Sequence, residues 1–497
     1  VGGEQPLGNV AQAVAEGLNL HRKFKQEVTM AANLRTVTEF KPAPQGAHLS
    51  GNLAPVRIET DMELGVRGSI PEGLRGALYR NGPNPQFEPR ADYHAFIGDG
   101  MIHGFWIGDG RARYRNRYIR TPRWLAENAA GRALFGGMGR PSDASVEGIH
   151  AGSANTHVVH HAGKLMALQE GSSPFEIDKS NLASIGWVET GGRFTAHPKL
   201  DPKTGELLWF AYSSGAEPLN AFLDYGVTDA SGRVLRRNQF RAPFCSMVHD
   251  FMVTHNHVLF PVLPLTGDFG RAKRGLSAFA WEPDKGAYIG VMQRHASVET
   301  LRWIEIDPVY AFHALNAYED GRVIHCDMME YATAPLFPNA DGSSNNASGA
   351  CLVRWSIDLD NPGMRVKRTP LDDTTGEFPR IDERFSGGRY RHGWHTANVE
   401  KVDALAFDAL AHIDLKTDRR TIRRLPKGDT VGEPVFVPRN ADAAEGDGWI
   451  LAVVHRAAEN RSEVLILNAQ DIAGEPQASL QLMSRVPTGF HGSWVGV

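Results

Sequence analysis

Cysteine is scarce in this chain. Three residues, Cys245, Cys326 and Cys351, are spread through 497 positions without a CxxC pair. That excludes a disulfide scaffold and fits a reducing compartment. A basic excess is missing as well. The net charge is −4 with histidine neutral, so nothing neutralises a run of phosphates and nucleic acid is not expected as a partner. Runs of roughly 18 apolar residues, the length a membrane-crossing helix needs, do not occur. The longest apolar stretches, such as Val258-Leu259-Phe260-Pro261-Val262-Leu263, are strand-length. HExxH, GxSxG, a P-loop and a GxGxxG ahead of a helix are all absent, which removes the zincin, nucleophile-elbow and nucleotide-loop chemistries. Val1-Gly2-Gly3-Glu4 opens the chain without the basic and apolar regions of a signal peptide. The expected location is cytoplasmic.

Glycine (52) and proline (29) are plentiful, which suits a turn-rich β protein. Residues 1–30 read as a helix, with Val10, Val14, Leu18, Phe24 and Val28 at helical spacing. It packs on the main body or lies on a membrane surface, where His21, Arg22, Lys23 and Lys25 supply positive charge. Residues 1–50 therefore form an N-terminal helical extension, and 51–497 a single β domain. From about residue 70, short apolar runs alternate with turns such as Asp109-Gly110, Asp320-Gly321 and Asp447-Gly448. The runs include Lys164 to Leu168, Leu207 to Tyr212, His257 to Leu263 and Trp449 to Val454. This pattern, without alternating helices, predicts a β-propeller or a large sandwich. One stretch breaks it. Residues 121–137, with Trp124, Leu125, Leu134 and Phe135, read as a helical insert ended by Gly136-Gly137.

Histidine is abundant, with 20 residues. His160-His161, His255-x-His257 and His392-x-x-His395 have chelating spacing, although Thr254-His255-Asn256-His257 reads better as a loop. Four others lie in or beside apolar strands: His197 before Pro198, His249 in Met247-Val248-His249-Asp250-Phe251, His313 in Phe312-His313-Ala314, and His491 in Phe490-His491-Gly492. One histidine in such a strand is ordinarily a hydrogen-bonded core residue. Four, on strands that converge on a propeller axis, would reach a common metal. Metal-bound imidazoles are commonly oriented by carboxylates. Glu170 ends one apolar strand, Glu433 precedes another and Glu377 sits in the short Pro-containing segment Gly376-Glu377-Phe378-Pro379-Arg380; all three qualify, their plainer role being surface or turn charge.

Taken together, these residues resemble the carotenoid cleavage oxygenase family, whose members also include stilbene- and phenylpropanoid-cleaving enzymes. The resemblance covers roughly residues 52–497. It runs through Leu78-Tyr79-Arg80-Asn81-Gly82-Pro83-Asn84-Pro85, Gly98-Asp99-Gly100-Met101-Ile102-His103, Arg117-Tyr118-Ile119-Arg120-Thr121, Ala154-Asn155-Thr156, the four histidine contexts, and Glu433-Pro434-Val435-Phe436-Val437-Pro438-Arg439. It implies an all-β, seven-bladed propeller with a helical dome over an iron site. It implies Fe(2+) held by His197, His249, His313 and His491, with Glu170, Glu377 and Glu433 behind them and Thr156 near a vacant iron position. The activity implied is scission of a conjugated C=C bond by O2 into two carbonyl products.

The resemblance also bears on the substrate, an apolar small-molecule alkene. Stilbene-type members hold a phenol with a tyrosine and a lysine. Tyr118 is the candidate tyrosine. The lysine position, before the first glutamate, is Gln169 here. That departure and the Tyr79 to Pro85 motif point to an apocarotenoid or carotenoid. The stretch Trp281-Glu282-Pro283 to Val291 resembles phenylpropanoid-cleaving members, which keeps a stilbene or propenylphenol as the alternative. Trp124, Leu125, Leu134 and Phe135 suggest peripheral membrane contact. A propeller that only binds, or that uses calcium, is the reading from another class. Calcium asks for oxygen ligands, whereas this chain offers histidines in apolar strands.

Overall fold

Strand Arg111–Tyr118 shows how the sequence builds its sheets. Arg111, Arg113, Arg115 and Arg117 alternate with Ala112, Tyr114, Asn116 and Tyr118, and the second set is buried. A period of two places one set on each face of the sheet, so the register is fixed by burial. Central strands such as Leu207–Tyr212 and Gly448–Arg456 are instead apolar along their length and buried on both faces. The structure, a computed structural model, describes residues 47–497 apart from 91–92, 346, 362 and 401–402. The helix read over residues 1–30 lies outside the described residues.

The strands form seven antiparallel blades around one axis. Blade 1 joins Asp61–Glu63, Gly76–Pro83, Gly100–Gly108 and Arg111–Tyr118 to the C-terminal strand Gly492–Gly496, which lies innermost. Blade 2 runs outward from His157–His161, blade 3 from Lys199–Leu200, and blade 4 from Met252–Val253. Blades 5 and 6 share a seven-stranded sheet that starts at Tyr310–Asp320. Its long strand Val366–Ile381 pairs with blade 5 through its first half and with blade 6 through its second. Blade 7 takes Gly65–Gly68 as its outer strand. Residues 61–118 and the C-terminal region are thus interleaved twice, in blades 1 and 7, which ties the first and last blades together.

The cap over one end of the axis is mostly loop. Its helix α1, Pro122–Ala130, begins as the sequence predicts: Thr121 accepts a hydrogen bond from the Trp124 N–H, and Pro122 takes the first position. It ends earlier than expected. Gly131, at φ 68°, closes it in the left-handed conformation, ahead of Leu134 and the Gly136-Gly137 pair. Of the four residues on which the expectation of membrane contact rested, Trp124, Leu134 and Phe135 are buried and Leu125 is half-buried. The α1 segment is therefore core packing, not an apolar rim. No helix among the described residues is long and apolar enough to cross a membrane.

Candidate metal centre

Each blade delivers one polar side chain to the axis, at or just before its innermost strand. Blade 1 supplies His491, blade 2 Thr156, blade 3 His197, blade 4 His249, blade 5 His313, blade 6 Glu377 and blade 7 Glu433. Glu170 comes from the turn after strand Lys164–Leu168 in blade 2. The four histidines are buried, and their ligand atoms lie within 4.8 Å of one another. His197 Nε2 is 3.1 Å from His249 Nε2, which is in turn 3.1 Å from His313 Nε2.

Three of the rings are held from behind. His491 Nδ1 meets Glu433 Oε1 at 2.9 Å, His313 Nδ1 meets Glu377 Oε2 at 2.5 Å, and His249 Nδ1 contacts Glu170 Oε1. The carboxylates are anchored themselves. Tyr212 donates its hydroxyl to Glu170 at 2.6 Å, and Arg380 Nη1 lies 3.1 Å from Glu433 Oε2. Glu377 sits where its strand changes partner. The register slips between Glu377 and Arg380, and Phe378 is held at φ 55°. A bulky residue there is strained, and bulges of this kind re-aim side chains. The Phe378 N–H also donates to Glu377 at 2.6 Å.

Burial dominates the electrostatics. It pushes the His197 and His491 imidazoles far below their usual range and His313 down to about 3, which keeps these rings neutral. For His249, burial also works downward, but Glu170 outweighs it and the net shift is upward. Burial pushes Glu377 up to about 8, and a nearby dication would pull it back down. With the carboxylates ionised, each takes an Nδ1–H and leaves a bare Nε2. The lone pairs of His249 and His313 would then face each other across 3.1 Å, an arrangement that a cation resolves. Four neutral imidazoles suit a divalent transition metal, so the residues present fit such an ion.

A cavity of about 360 Å³ opens onto His249, His313 and His491 from the cap side. Its wall is largely apolar, with Phe96, Met138, Phe279, Phe312, Leu336 and Phe490 among the lining residues. Thr156 lines it too, and its hydroxyl donates to Asn155 at 3.0 Å. Tyr118 does not line it. The Tyr118 hydroxyl is buried against Asn84 Nδ2 at 2.8 Å and the Val56 carbonyl at 3.3 Å, because its strand turns that face toward Met101 and Trp124. Its expected substrate contact is therefore not what the fold places there.

Two further polar groups stand in the wall: Gln169, which the sequence marks as the lysine position, and His150, which it does not single out. Gln169 Oε1 accepts from the Ser153 N–H at 2.8 Å and the Ser172 hydroxyl at 3.3 Å, so its amino group is left to donate. His150 Nδ1 accepts from the Gly152 N–H at 3.1 Å, which leaves Nε2 as a donor in the neutral ring. Both line the cavity, and His150 is exposed, marking the solvent end. His257 and His392, from two of the other chelating pairs, are held by structural contacts. His257 Nδ1 bonds Glu319 at 2.8 Å, and His392 Nδ1 bonds His412 Nε2 at 3.0 Å.

Known proteins resemble this chain in sequence and fold. The family pattern described as retinal pigment epithelial membrane protein matches residues 53–496. Isoeugenol monooxygenase of Pseudomonas nitroreducens is 37% identical, over 90% of this chain and 97% of that protein. The crystal structure of Pseudomonas brassicacearum lignostilbene dioxygenase superposes with a TM-score of 0.88 at 34% identity, covering 92% of this chain and 100% of that one. Cobalt-substituted Synechocystis ACO gives 0.80 at 30% identity, covering 89% of this chain and 97% of that one. With the fold, the buried histidines and these likenesses in agreement, the chain belongs to the retinal pigment epithelial membrane protein family, the carotenoid cleavage oxygenases, and is an alkene-cleaving dioxygenase.

Proposed function

We propose that His197, His249, His313 and His491 hold Fe(II), and that the alkene cleaved is a phenolic one, a propenylphenol or a hydroxystilbene. The observation that carries the substrate reading is the pair of unfilled donors, Gln169 Nε2 and His150 Nε2, in the wall of a largely apolar cavity. Two donors suit one phenol oxygen, and the apolar wall suits the ring and the alkene. The volume of about 360 Å³ is at the small end of the roughly 300–1,000 Å³ usual for ligand pockets, which fits a one- or two-ring molecule. Isoeugenol and lignostilbene in the names of the relatives agree with this.

Iron(II) bound by the four imidazoles supplies the redox chemistry that joins O2 to the alkene, giving one carbonyl on each fragment. The chain does the rest. Glu170, Glu377 and Glu433 hold Nδ1 protons and so fix each ring with Nε2 inward. Phe96, Phe312 and Phe490 exclude water and limit the poses of the alkene. Gln169 and His150 set which end of the molecule points away from the metal. The apocarotenoid reading has its own support in the missing lysine at Gln169 and in the likeness to Synechocystis ACO. The same donors would then meet the terminal oxygen of the polyene.

Two measurements test this reading. Elemental analysis should find one iron per chain, lost in His249→Ala. The ratio of kcat/KM for a propenylphenol to that for an apocarotenal should exceed one. A ratio well below one moves the substrate to the polyene. Folded protein that takes up no Fe(II) removes the metal reading.

A further inference from the structure

A fifth histidine stands on the far side of the metal ring. His157, the first residue of strand His157–His161, lies beside two of the four imidazoles: its ring centroid is 5.1 Å from that of His491 and 5.9 Å from that of His197. Its Nδ1 is 2.9 Å from the Ala196 carbonyl. A carbonyl only accepts, so Nδ1 carries the hydrogen, and in the neutral ring Nε2 is a bare lone pair. That Nε2 is buried and has no hydrogen-bond partner. Orphaned buried polar atoms are rare and ask for a reason.

His157 does not line the substrate cavity. It lines a second cavity, of about 430 Å³, which follows the propeller axis from the opposite face and ends at His197, His313 and His491. The two chambers differ in chemistry. The substrate side is walled by aromatic and aliphatic groups near the metal. The axial side carries Asp250, ion-paired to Lys199 at 2.7 Å, together with Arg380, Glu383, Glu433 and Asn316. His160, three residues further along the same strand, also lines it, and its Nε2 is likewise buried without a partner. Lys199 and Arg380 pair with these carboxylates, so the chamber is polar and close to balanced in charge, and a hydrated dication loses less by entering it than by crossing an apolar one.

We propose that the axial chamber is the route by which the divalent metal enters, and that His157 is the entry ligand that takes the ion from the chamber and passes it to His197 and His491. The ring is built for this. It is pre-oriented by a carbonyl behind Nδ1, as metal-binding imidazoles commonly are. It stands next to His491, at a ring separation like those within the four, yet is not among the ligand atoms that lie within 4.8 Å of one another. This inference rests on the four-histidine metal reading.

The test is the rate of metal uptake. Metal-free protein is mixed anaerobically with cobalt(II), and the growth of the cobalt absorption band is followed in time, with the final cobalt content measured separately. His157→Asn, which keeps a donor for the Ala196 carbonyl, and His157→Leu are compared with the parent. So is Leu200→Trp, at an exposed position on the wall of the axial chamber, which narrows the route without touching a histidine. The expected result is uptake slowed by about tenfold or more in all three, the scale of losing one favourable contact along the path, with the same end-point of one cobalt per chain. Uptake rates within twofold of the parent overturn the proposal. So does a lowered end-point at an unchanged rate, which would make His157 part of the final site. A parent chain that binds no cobalt defeats the four-histidine reading itself.

Discussion

Glu433 links the metal ring to the propeller's closure. Its Oε1 accepts from His491 Nδ1 at 2.9 Å, while its Oε2 accepts from the Gly492 N–H at 2.8 Å and faces Arg380 Nη1 at 3.1 Å. One carboxylate in blade 7 therefore orients a ligand from the last strand of the chain and satisfies a buried guanidinium from blade 6. Glu433→Gln keeps the shape but removes the charge. The expected result is iron binding weakened by roughly 10–100-fold, the usual scale for groups behind a metal ligand. Glu433→Ala should in addition lower stability by about 1–3 kcal/mol, because Arg380 loses one of its two carboxylates while keeping Glu383 and the Gly492 carbonyl. Iron titration and thermal unfolding of the metal-free variants separate the two effects.

Tyr212 tests the support of a second ligand. Its hydroxyl, 2.6 Å from Glu170 Oε2, steadies the carboxylate behind His249. Tyr212→Phe removes one hydrogen bond to a charged group, worth about 1.5–3 kcal/mol. Iron affinity should fall less than in Glu170→Gln, and the two substitutions together should cost no more than Glu170→Gln alone, since they act through one carboxylate. Additive losses would contradict this chain of contacts.

Gln169 is expected to act on the substrate and not on the metal. Gln169→Leu fills similar space without donors. It should keep one iron per chain and lower kcat/KM for a propenylphenol by about three- to tenfold, the scale of one neutral hydrogen bond of roughly 0.5–1.5 kcal/mol. An alkene lacking the phenol hydroxyl should be unaffected. Equal losses for both substrates would remove Gln169 from recognition.

Gly489 tests how His491 is delivered. A Cβ there would lie 2.7 Å from the Asn81 carbonyl oxygen, and that carbonyl accepts from the Phe490 N–H at 3.0 Å. Asn81 also donates to the Ala154 and His157 carbonyls, at 2.8 and 3.0 Å. Gly489→Ala should cost about 1–3 kcal/mol of stability through overpacking. It should also lower iron content, because the next two residues must shift. Normal iron content in a destabilised protein would show that His491 is placed by its own strand instead.

Much of this was legible in the residues. Lys164–Leu168 and Leu207–Tyr212 form strands at the bounds that their apolar runs predict, since a buried strand has few ways to hide. The four histidines could be picked out because each precedes or enters an innermost strand, where apolar neighbours make a lone polar residue conspicuous. Other features were out of reach. Glu377 acts through a bulge in a strand that changes partner midway, and no local pattern announces that. His157 gains its meaning from a second chamber that exists only once seven blades meet. Tyr118 has the right motif but the wrong face, a matter of one residue in strand register. The early end of α1 at Gly131 was signalled by a glycine that the apolar residues Leu134 and Phe135 outweighed in the reading.

The most direct test of the account is product analysis of the Fe(II)-loaded protein under labelled dioxygen. A propenylphenol and an apocarotenal are offered in separate tubes, and the products are read by mass spectrometry. The account predicts an aromatic aldehyde that carries a label from O2, with the polyene left intact. A shortened polyene aldehyde with the phenol untouched would contradict the substrate assignment. An oxygenated product whose carbon skeleton is whole would contradict alkene cleavage itself.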